Sequence, residues 1–361
     1  MLGRLYAGEL KKIIRPKAII ALSVTLIILL LGYAILYNLA QTLTDSINQA
    51  ISSGDITFEE EMTEQDGSDS ELTPENIDFV IRSYEIQLEQ LEDSYKNEKM
   101  GYQKYASIFS VKAQLTGLKF IRDNSLYDAK ILGFTASSGD MILTELTAEG
   151  FAENYMSAVT LVIAIYGIVI GAGLLADEYR NGTIKLLLTR PITKNQLITA
   201  KLLATLTVCF AFMGLFTLIG YVYGAIAFDV VSTNGIYLVF NASHVVKSTM
   251  GAYVFGQFVV DFIRITAMVL IAYFLGTLAR KKTTGIIVTI IIQFNVISGI
   301  LGLLPVQIGL LTPNLGLMSY FNVSASVPTY GNFFISLAVD IVYMAAVTFG
   351  LYYSVNKRDV I

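Results

Sequence analysis

The sequence predicts an all-α integral membrane protein with six transmembrane helices, and three observations support this fold class. Hydrophobic residues make up 54% of the 361 residues and charged residues only 15%, whereas soluble chains carry about a quarter charged residues. The apolar residues gather in six runs of about 20, the length that a helix needs to cross roughly 30 Å of hydrocarbon. Lysine and arginine also concentrate in alternate connecting segments.

The six predicted spans differ little in character, and the first, second and fifth contain no charged residue. Glycines inside them are common in membrane helices, where they allow neighbouring helices to approach closely. The predicted spans are 18–37, 156–176, 202–224, 255–278, 285–304 and 332–354.

The distribution of basic residues predicts the orientation. With the N-terminus inside, the basic residues of the cytoplasmic segments are Arg4, Lys11, Lys12, Arg15, Lys17, Arg180, Lys185, Arg190, Lys194, Lys201, Arg280, Lys281, Lys282, Lys357 and Arg358. The two short segments on the other side hold a single base, Lys247. Since short cytoplasmic loops are enriched in Lys and Arg, we expect a multi-pass protein of the cell membrane with both termini in the cytoplasm.

Residues 38–155 form the largest segment outside the predicted spans, on the outer side in this orientation, and hold 22 of the 29 acidic residues. Residues 55–75 contain nine acids and no base, which is typical of a linker. From Ile77 to Tyr95 apolar residues recur every three or four positions, and a second helical pattern follows Gly101. The pattern predicts a helical hairpin outside the membrane. Its acids could bind divalent cations, but a solvated acidic face is the favoured interpretation.

The segment 304–331 is apolar and rich in proline and glycine. Irregular backbone cannot lie exposed in lipid because its polar groups would lack partners. We expect it either to cap the bundle from outside or to enter the membrane as a short re-entrant element.

The sequence carries no recognisable catalytic motif. It has no phosphate-binding Gly-x-x-x-x-Gly-Lys-Ser/Thr loop, one histidine (His244) and one cysteine (Cys209), and therefore no histidine-based metal site and no internal disulfide. Nothing indicates nucleic-acid binding. We expect no cofactor on this chain, and if the protein performs ATP-driven work, a different chain hydrolyses the ATP.

The most informative segment follows the second span and reads DEYRNGTIKLLLTRPITK from Asp177 to Lys194. Asn181-Gly182 predicts a turn, the following aliphatic residues predict a short amphipathic helix, and Pro191 ends that helix. Thr193 is a candidate cap for the next helix. A short helix held parallel to the membrane can act as a rigid lever. The alternative is an ordinary basic loop at the membrane surface.

Three charged residues lie inside predicted spans: Asp261 and Arg264, spaced i, i+3 on one helix face, and Asp340 in the last span. Charged residues inside membranes often mark transport pathways. We therefore consider a polar cluster that lines a pathway or an outer gate, with a structural ion pair near the lipid headgroups as the alternative.

The 177–201 segment resembles the corresponding loop of permease subunits of type-2 ATP-binding-cassette exporters. That family's pattern of Glu, Gly-Thr, aliphatic residues, Pro, Ser/Thr, a basic residue and a later Lys is matched by Glu178, Gly182, Thr183, Pro191, Thr193, Lys194 and Lys201. The resemblance covers the N-terminal segment and spans two to six. The outer segment departs from it, because the commonest members join spans one and two more briefly.

The resemblance implies a coupling helix near 179–189 that docks on an ATP-binding subunit. The residues expected to take part are Glu178, Tyr179, Arg180, Gly182, Thr183, Lys185, Pro191, Lys194 and Lys201. It also implies an amphipathic connecting helix before the first span. Residues 2–14 fit, because Leu2, Leu5, Tyr6, Leu10, Ile13 and Ile14 share one helix face. The chain would then divide into residues 1–37, an outer domain at 38–155, and spans two to six at 156–361.

The resemblance further implies a half-transporter in the lipid bilayer, with a second permease half, identical or homologous, and two ATP-binding subunits that carry ATP and magnesium. An apolar bundle favours a hydrophobic or amphipathic cargo such as an antimicrobial peptide, a lipid or a drug-like compound, and ion extrusion is an alternative. A membrane-anchored sensor that uses the outer hairpin is a different class of explanation. A membrane-embedded enzyme is the third.

Overall fold

The computed structural model describes residues 2–14, 16–53, 74–94, 102–126, 148–183, 192–227, 236–294, 315–321 and 332–357. The helices in this part of the chain are α1 Leu2–Ile13, α2 Pro16–Ser53, α3 Ile77–Ser94, α4 Tyr102–Asn124, α5 Ala148–Arg180, α6 Lys194–Ala227, α7 Met250–Ala279, α8 Lys282–Gln293 and α9 Phe333–Lys357. Two strands, β1 Ile236–Phe240 and β2 His244–Ser248, and a 3₁₀ turn at Leu317–Tyr320 complete the described elements.

Five of the described helices are long and apolar enough to cross a membrane: α2, α5, α6, α7 and α9. Predicted spans one to four each fall within one of them, and predicted span six, apart from its first residue 332, falls within α9. The fifth predicted span, 285–304, begins in α8, an apolar helix of 12 residues, and its second part, 295–304, lies outside the described residues. Five of the six predicted spans are therefore seen as helices, and the fifth in chain order, 285–304, stays a prediction.

Helix α5 is the centre of the bundle and packs against α2, α6, α7 and α8. Small residues allow the closest approaches, as the glycines predicted. A Cβ added at Gly276 of α7 would lie 2.3 Å from the carbonyl oxygen of Ala172 in α5. One added at Gly220 of α6 would lie 2.1 Å from the ring of Tyr155. Helices pack in lipid through such close contacts rather than through a hydrophobic driving force between them.

All five spanning helices are longer than their predicted spans, and α2 and α5 extend furthest beyond them. Helix α2 runs for 38 residues, which corresponds to about 57 Å and exceeds the roughly 30 Å of hydrocarbon. Helix α5 begins at Ala148, eight residues before the predicted start of the second span. Both extensions lie at the end of the bundle that leads to α3 and α4.

The predicted helical hairpin is present as α3 and α4, which form an antiparallel pair. Three ion pairs join them: Lys112–Glu92 at 2.9 Å, Lys119–Glu85 at 2.7 Å and Arg122–Asp78 at 3.2 Å. These pairs are solvent-exposed and contribute little energy individually. The hairpin is held mainly by its apolar side, which buries Ile77, Ile81, Ala113, Leu118 and Ile121.

A β-hairpin was missed by the sequence analysis. Strands β1 and β2 pair antiparallel, with Ile236 opposite Ser248 and Phe240 opposite His244. Tyr237 and Val239 of β1 join the apolar core of α3 and α4. Elements from two distant parts of the chain thus form one unit, which we call the head: α3, α4, β1 and β2.

The described part of the 304–331 segment lies between the head and the bundle. Leu317 and Tyr320 are buried with Phe109 of α4 and Val260 of α7. The backbone N–H of Asn241, in the β-hairpin turn, donates to the carbonyl oxygen of Tyr320 at 3.0 Å. Among the described residues, this segment therefore connects the head to the ends of α7 and α9.

Candidate functional site

The candidate site lies at the end of the bundle where α5 and α9 finish, α6 begins and α7 turns into α8. We call it the basic end, because Arg180, Lys194, Arg280, Lys281, Lys282 and Lys357 lie there. Helix α1 also packs at this end, along the first turns of α6. The Tyr6 hydroxyl donates to Oγ1 of Thr207 at 3.0 Å and marks how far α1 reaches along α6.

Lys201 is the centre of a buried ion network. Its side chain is 3% exposed, and its Nζ lies 3.0 Å from Oε2 of Glu9 and 3.2 Å from Oε1 of Glu178. Lys12 adds a second cation, 2.8 Å from Glu9 and 3.9 Å from Glu178. Because buried charges are stable only when they are paired and hydrogen-bonded, this network ties together α1, the end of α5 and the start of α6.

Glu9 was not singled out by the sequence analysis, although a signal was present. It lies four residues from Leu5 and three from Tyr6, and therefore on the apolar face of the amphipathic helix. An acid on that face, at a membrane surface, needs a buried cation. Lys201, which the resemblance placed in the coupling set, supplies that cation.

The turn after α5 has the geometry that the Asn181-Gly182 pair predicted. The N–H of Asn181 donates to the carbonyl of Asp177 at 3.0 Å, and that of Gly182 to the carbonyl of Tyr179 at 3.3 Å. Gly182 has φ of +67°, and a Cβ added there would contact nothing within 4 Å. Glycine is therefore favoured by the left-handed backbone and not by a lack of space.

Glu178 also accepts a hydrogen bond from the hydroxyl of Thr183. The carboxylate thus contacts Lys201 on one side and the residue that enters the predicted coupling helix on the other. Residues 184–191, including Lys185, Pro191 and most of the predicted 179–189 helix, lie outside the described residues. Tyr179 and Arg180 belong to the last turn of α5.

The last turn of α5 is held from a second side by the α7–α8 turn. Asp177 lies 3.9 Å from Nζ of Lys282 and 3.4 Å from Arg180. The guanidinium of Arg280 stacks over the Tyr179 ring at 5.3 Å from its centroid, a cation–π contact. Three consecutive residues, 177–179, therefore connect α5 to α1, α6 and the α7–α8 turn.

The segment re-enters regular structure through a capping box at the start of α6. The Oγ1 of Thr193 accepts from the N–H of Gln196 at 3.2 Å, and the side-chain oxygen of Gln196 accepts from the N–H of Thr193 at 3.2 Å. This reciprocal pair satisfies two amide groups that a helix N-terminus would leave free. Nζ of Lys194 donates to the carbonyl of Val355 at 3.2 Å and connects α6 to the end of α9.

Among the described residues, the three charged side chains inside the spans, Asp261, Arg264 and Asp340, form no part of the Lys201 network. Oδ2 of Asp261 accepts from the hydroxyl of Thr160 at 3.0 Å. Asp340 is completely buried, and neither of its oxygens has a hydrogen-bond partner among the described residues. Within the described residues, the side chains of Asp261, Arg264 and Asp340 form no ion pair with one another within 4.0 Å. Asp261 and Arg264 lie one turn apart on α7, and the predicted cluster with Asp340 stays a prediction.

These features define a multi-pass membrane protein whose connecting segments are tied together at one end of the bundle. A family model described as ABC-2 family transporter protein matches residues 4–347, and the chain belongs to this family. Its members are the membrane subunits of transporters and normally pair with an ATP-binding subunit. The match includes most of α1, which the resemblance also covered, and the outer segment, which the resemblance did not cover.

One curated relative is similar to part of the chain. The uncharacterized protein YhcI of Bacillus subtilis (strain 168) is 24% identical over 132 residues, which cover 35% of this chain and 41% of that protein. The chain thus matches less than half of that relative's length. No solved structure matches the chain.

Proposed function

We propose that the chain is the permease half of an ATP-driven exporter, with the basic end facing the cytoplasm and the head outside the cell. The observation that carries this proposal is the Lys201 network, which joins α1, α5 and α6 at the two ends of the 181–193 segment. A partner that displaces this segment would act directly on two spanning helices. The family normally supplies such a partner, an ATP-binding subunit.

The charge distribution supports the proposed orientation. The basic end collects the termini of α5, α6 and α9 and the α7–α8 turn, and cytoplasmic loops of membrane proteins carry an excess of lysine and arginine. The termini of the chain, α1 and the end of α9, lie at this same end. In the proposed orientation α8 is the first part of predicted span five, 285–304. This span returns the chain to the outer side before α9 begins.

The proposed mechanism is mechanical. The predicted coupling helix near 179–189 docks on the ATP-binding subunit, and Glu178 joins this segment, through Thr183, to the buried Lys201. When ATP closes the partner subunits, the segment moves and the last turn of α5 moves with it. Since α5 is the central helix of the bundle, its motion rearranges the contacts with α6, α7 and α8.

The proposed assembly contains two ATP-binding subunits and two permease halves, identical or homologous. We propose a hydrophobic or amphipathic cargo, because the exposed surfaces of the spanning helices and most of their interior are apolar. Export of an ion would instead require a continuous polar path. The sensor alternative differs in that it needs no ATP-binding partner.

The proposal is tested by reconstitution with the ATP-binding subunit. We expect the purified complex in liposomes to couple ATP hydrolysis to outward movement of a fluorescent amphipathic dye. Glu178→Ala should retain membrane insertion but lose most of the cargo-stimulated ATPase activity, whereas Lys281→Ala, an exposed lysine of the same end, should retain it. If no ATP-binding subunit associates with the wild-type chain, or Glu178→Ala transports normally, the proposal is wrong.

A further inference from the structure

Asp340 is the most unusual ionisable group in the described part of the bundle. It lies on the buried face of α9 together with Ser336, Leu351 and Val355. Its exposure is 0%, and within the part of the chain that the structure describes both carboxyl oxygens lack a hydrogen-bond partner. An isolated carboxylate in such surroundings is very costly, since neither water nor a protein dipole stabilises its charge.

The neighbouring elements supply no neutralising partner. Helices α7 and α9 run parallel: Leu337 packs against the apolar cluster that contains Val260, and a Cβ added at Gly350 would lie 3.2 Å from the ring of Phe274. This register places Asp340 at the depth of Arg264, yet the two side chains form no ion pair within 4.0 Å in the described structure. Arg264 lies one turn from Asp261 on α7 and offsets that charge instead.

No other titratable side chain of the described residues forms a hydrogen bond or an ion pair with the Asp340 oxygens. The 3₁₀ turn supplies Tyr320, whose hydroxyl pairs with Ser336. Helix α6 supplies Lys194 and Lys201, which donate at the basic end to the carbonyl of Val355 and to Glu9, respectively. On α7, Tyr273 belongs to an apolar cluster nearer that end. When Asp261 and Asp340 are both ionised, their two negative charges therefore exceed the single positive charge of Arg264 at this depth of the described spans.

We propose that Asp340 is a binding site for one monovalent positive charge. The ligand is a single positive charge. In the empty protein this charge is a proton, and in the loaded protein it is the cationic group of an amphipathic cargo, which either donates a hydrogen bond or carries a diffuse charge. A divalent ion fits poorly, because calcium needs six to eight oxygen ligands, and the described residues contain no group of three His, Cys, Asp or Glu that could hold a metal.

The proton form follows from this chain alone, and only the cargo form rests on the proposed function. As the neutral acid, Asp340 removes the excess charge while the site is closed. When a conformational change opens the α7–α9 contact, the carboxyl group can exchange its proton for the cationic part of a cargo. This would select for positively charged amphipathic molecules over neutral or anionic ones.

Infrared difference spectroscopy on the full-length protein in lipid nanodiscs tests the proton form directly. A protonated carboxyl group has a carbonyl stretch that is separate from the amide bands and from ionised carboxylates. We expect the wild-type protein to show this band at neutral pH, the Asp340→Asn protein to lose it, and Asp261→Asn, the matched control, to retain it. Asp340→Leu provides the same subtraction with an apolar residue if the asparagine variant does not fold.

The second part of the experiment uses tetraphenylphosphonium, which carries a permanent positive charge, and tetraphenylborate, an anion of the same size. Loss of the protonated band only with the cation shows that the site takes both kinds of ligand. A band that neither ion changes assigns the proton alone. No band, together with cation binding that Asp340→Asn abolishes, assigns the organic cation alone. If the wild-type and Asp340→Asn proteins give the same spectra and bind the cation equally, the proposal is overturned, whereas the coupling proposal is unaffected.

Discussion

Nζ of Lys201 lies 3.0 Å from Oε2 of Glu9, although 192 residues separate them in the chain, and both side chains are almost fully buried. The contact joins an amphipathic helix before the first span to the start of the third. Glu178, 3.2 Å away on the other side of the same ammonium, adds the end of the second span. A single lysine thus holds three elements that the sequence separates.

The first prediction concerns the energy of this network. Removing one member of a buried ion pair typically costs about 3–5 kcal/mol, because the remaining charge is left buried and unpaired. We expect Lys201→Met to lower the melting temperature of the purified protein strongly, since Glu9 and Glu178 then face each other with only Lys12 nearby. The double variant Lys201→Met/Glu9→Gln should lose less stability than Lys201→Met alone.

Thermal denaturation of the purified variants provides the measurement, with Lys281→Ala as the control. Lys281 is an exposed lysine of the basic end, and exposed substitutions usually change stability by no more than about 0.5 kcal/mol. Additive losses in the double variant would show that the three side chains do not act as a unit.

The second prediction concerns Gly182. Its φ of +67° is a left-handed conformation, which costs roughly 1–2 kcal/mol for a residue with a side chain. We expect Gly182→Val to weaken association with the ATP-binding subunit, measured by pull-down and by stimulated ATPase activity, while membrane insertion stays normal. Gly182→Asn should retain more activity, because asparagine tolerates this conformation better.

Gly8 provides a matched control for this experiment. A Cβ added there also meets nothing within 4 Å, but the residue is helical. Gly8→Ala should therefore be tolerated. Equal effects of Gly8→Ala, Gly182→Asn and Gly182→Val would mean that the backbone conformation at Gly182 has no part in coupling.

The elements that the sequence predicted best are those with a strong local pattern. Runs of about 20 apolar residues predicted the helices that contain spans one, two, three, four and six, and the apolar repeat from Ile77 predicted α3. Asn181-Gly182 predicted the turn, and Thr193 predicted the cap of α6. Each of these features depends on neighbouring residues, so the information is contained in a short stretch of sequence.

The features that were missed depend on distant residues. Strand β1 contains Tyr237 and Val239, but their burial requires α3 and α4 from another part of the chain. Glu9 pairs with Lys201 only because α1 packs across α6. The separation between Asp340 and Arg264 is likewise a matter of how α7 and α9 are rotated, which the i, i+3 spacing of Asp261 and Arg264 does not determine.

The third prediction concerns the independence of the head. Leu118 is fully buried among residues of α3, α4 and β1, and truncation of a buried leucine to alanine costs about 2–5 kcal/mol. We expect Leu118→Ala to make the head more sensitive to limited proteolysis while the complex with the ATP-binding subunit still forms. Phe79→Ala, at a position that is 69% exposed, is the control and should leave the digestion pattern unchanged.

This experiment distinguishes two possibilities: the head folds as a separate unit, or the head is needed for assembly with the ATP-binding subunit. If Leu118→Ala abolished association with the partner as well, the head would be required for folding of the bundle. Contacts such as that between Asn241 and Tyr320 would then be essential, and the head could not be regarded as a separate unit.

The last prediction concerns orientation in the membrane. The single native cysteine, Cys209, is buried in the bundle, so Cys209→Ala provides a background without a reactive thiol. In that background, a membrane-impermeant maleimide should label Ser83→Cys, on an exposed position of α3 in the head, in intact cells. It should label Lys281→Cys, at the α7–α8 turn, only after permeabilisation, because the excess of basic residues predicts that this end faces the cytoplasm. Thr284→Cys, also exposed near the start of α8, controls for the local environment of position 281 and should behave in the same way.

Labelling of both basic-end cysteines in intact cells would reverse the orientation and remove the ATP-binding partner's access to the 181–193 segment. Labelling of positions 83 and 281 from the same side would instead mean that an odd number of spans does not separate them, and the proposed topology would be wrong.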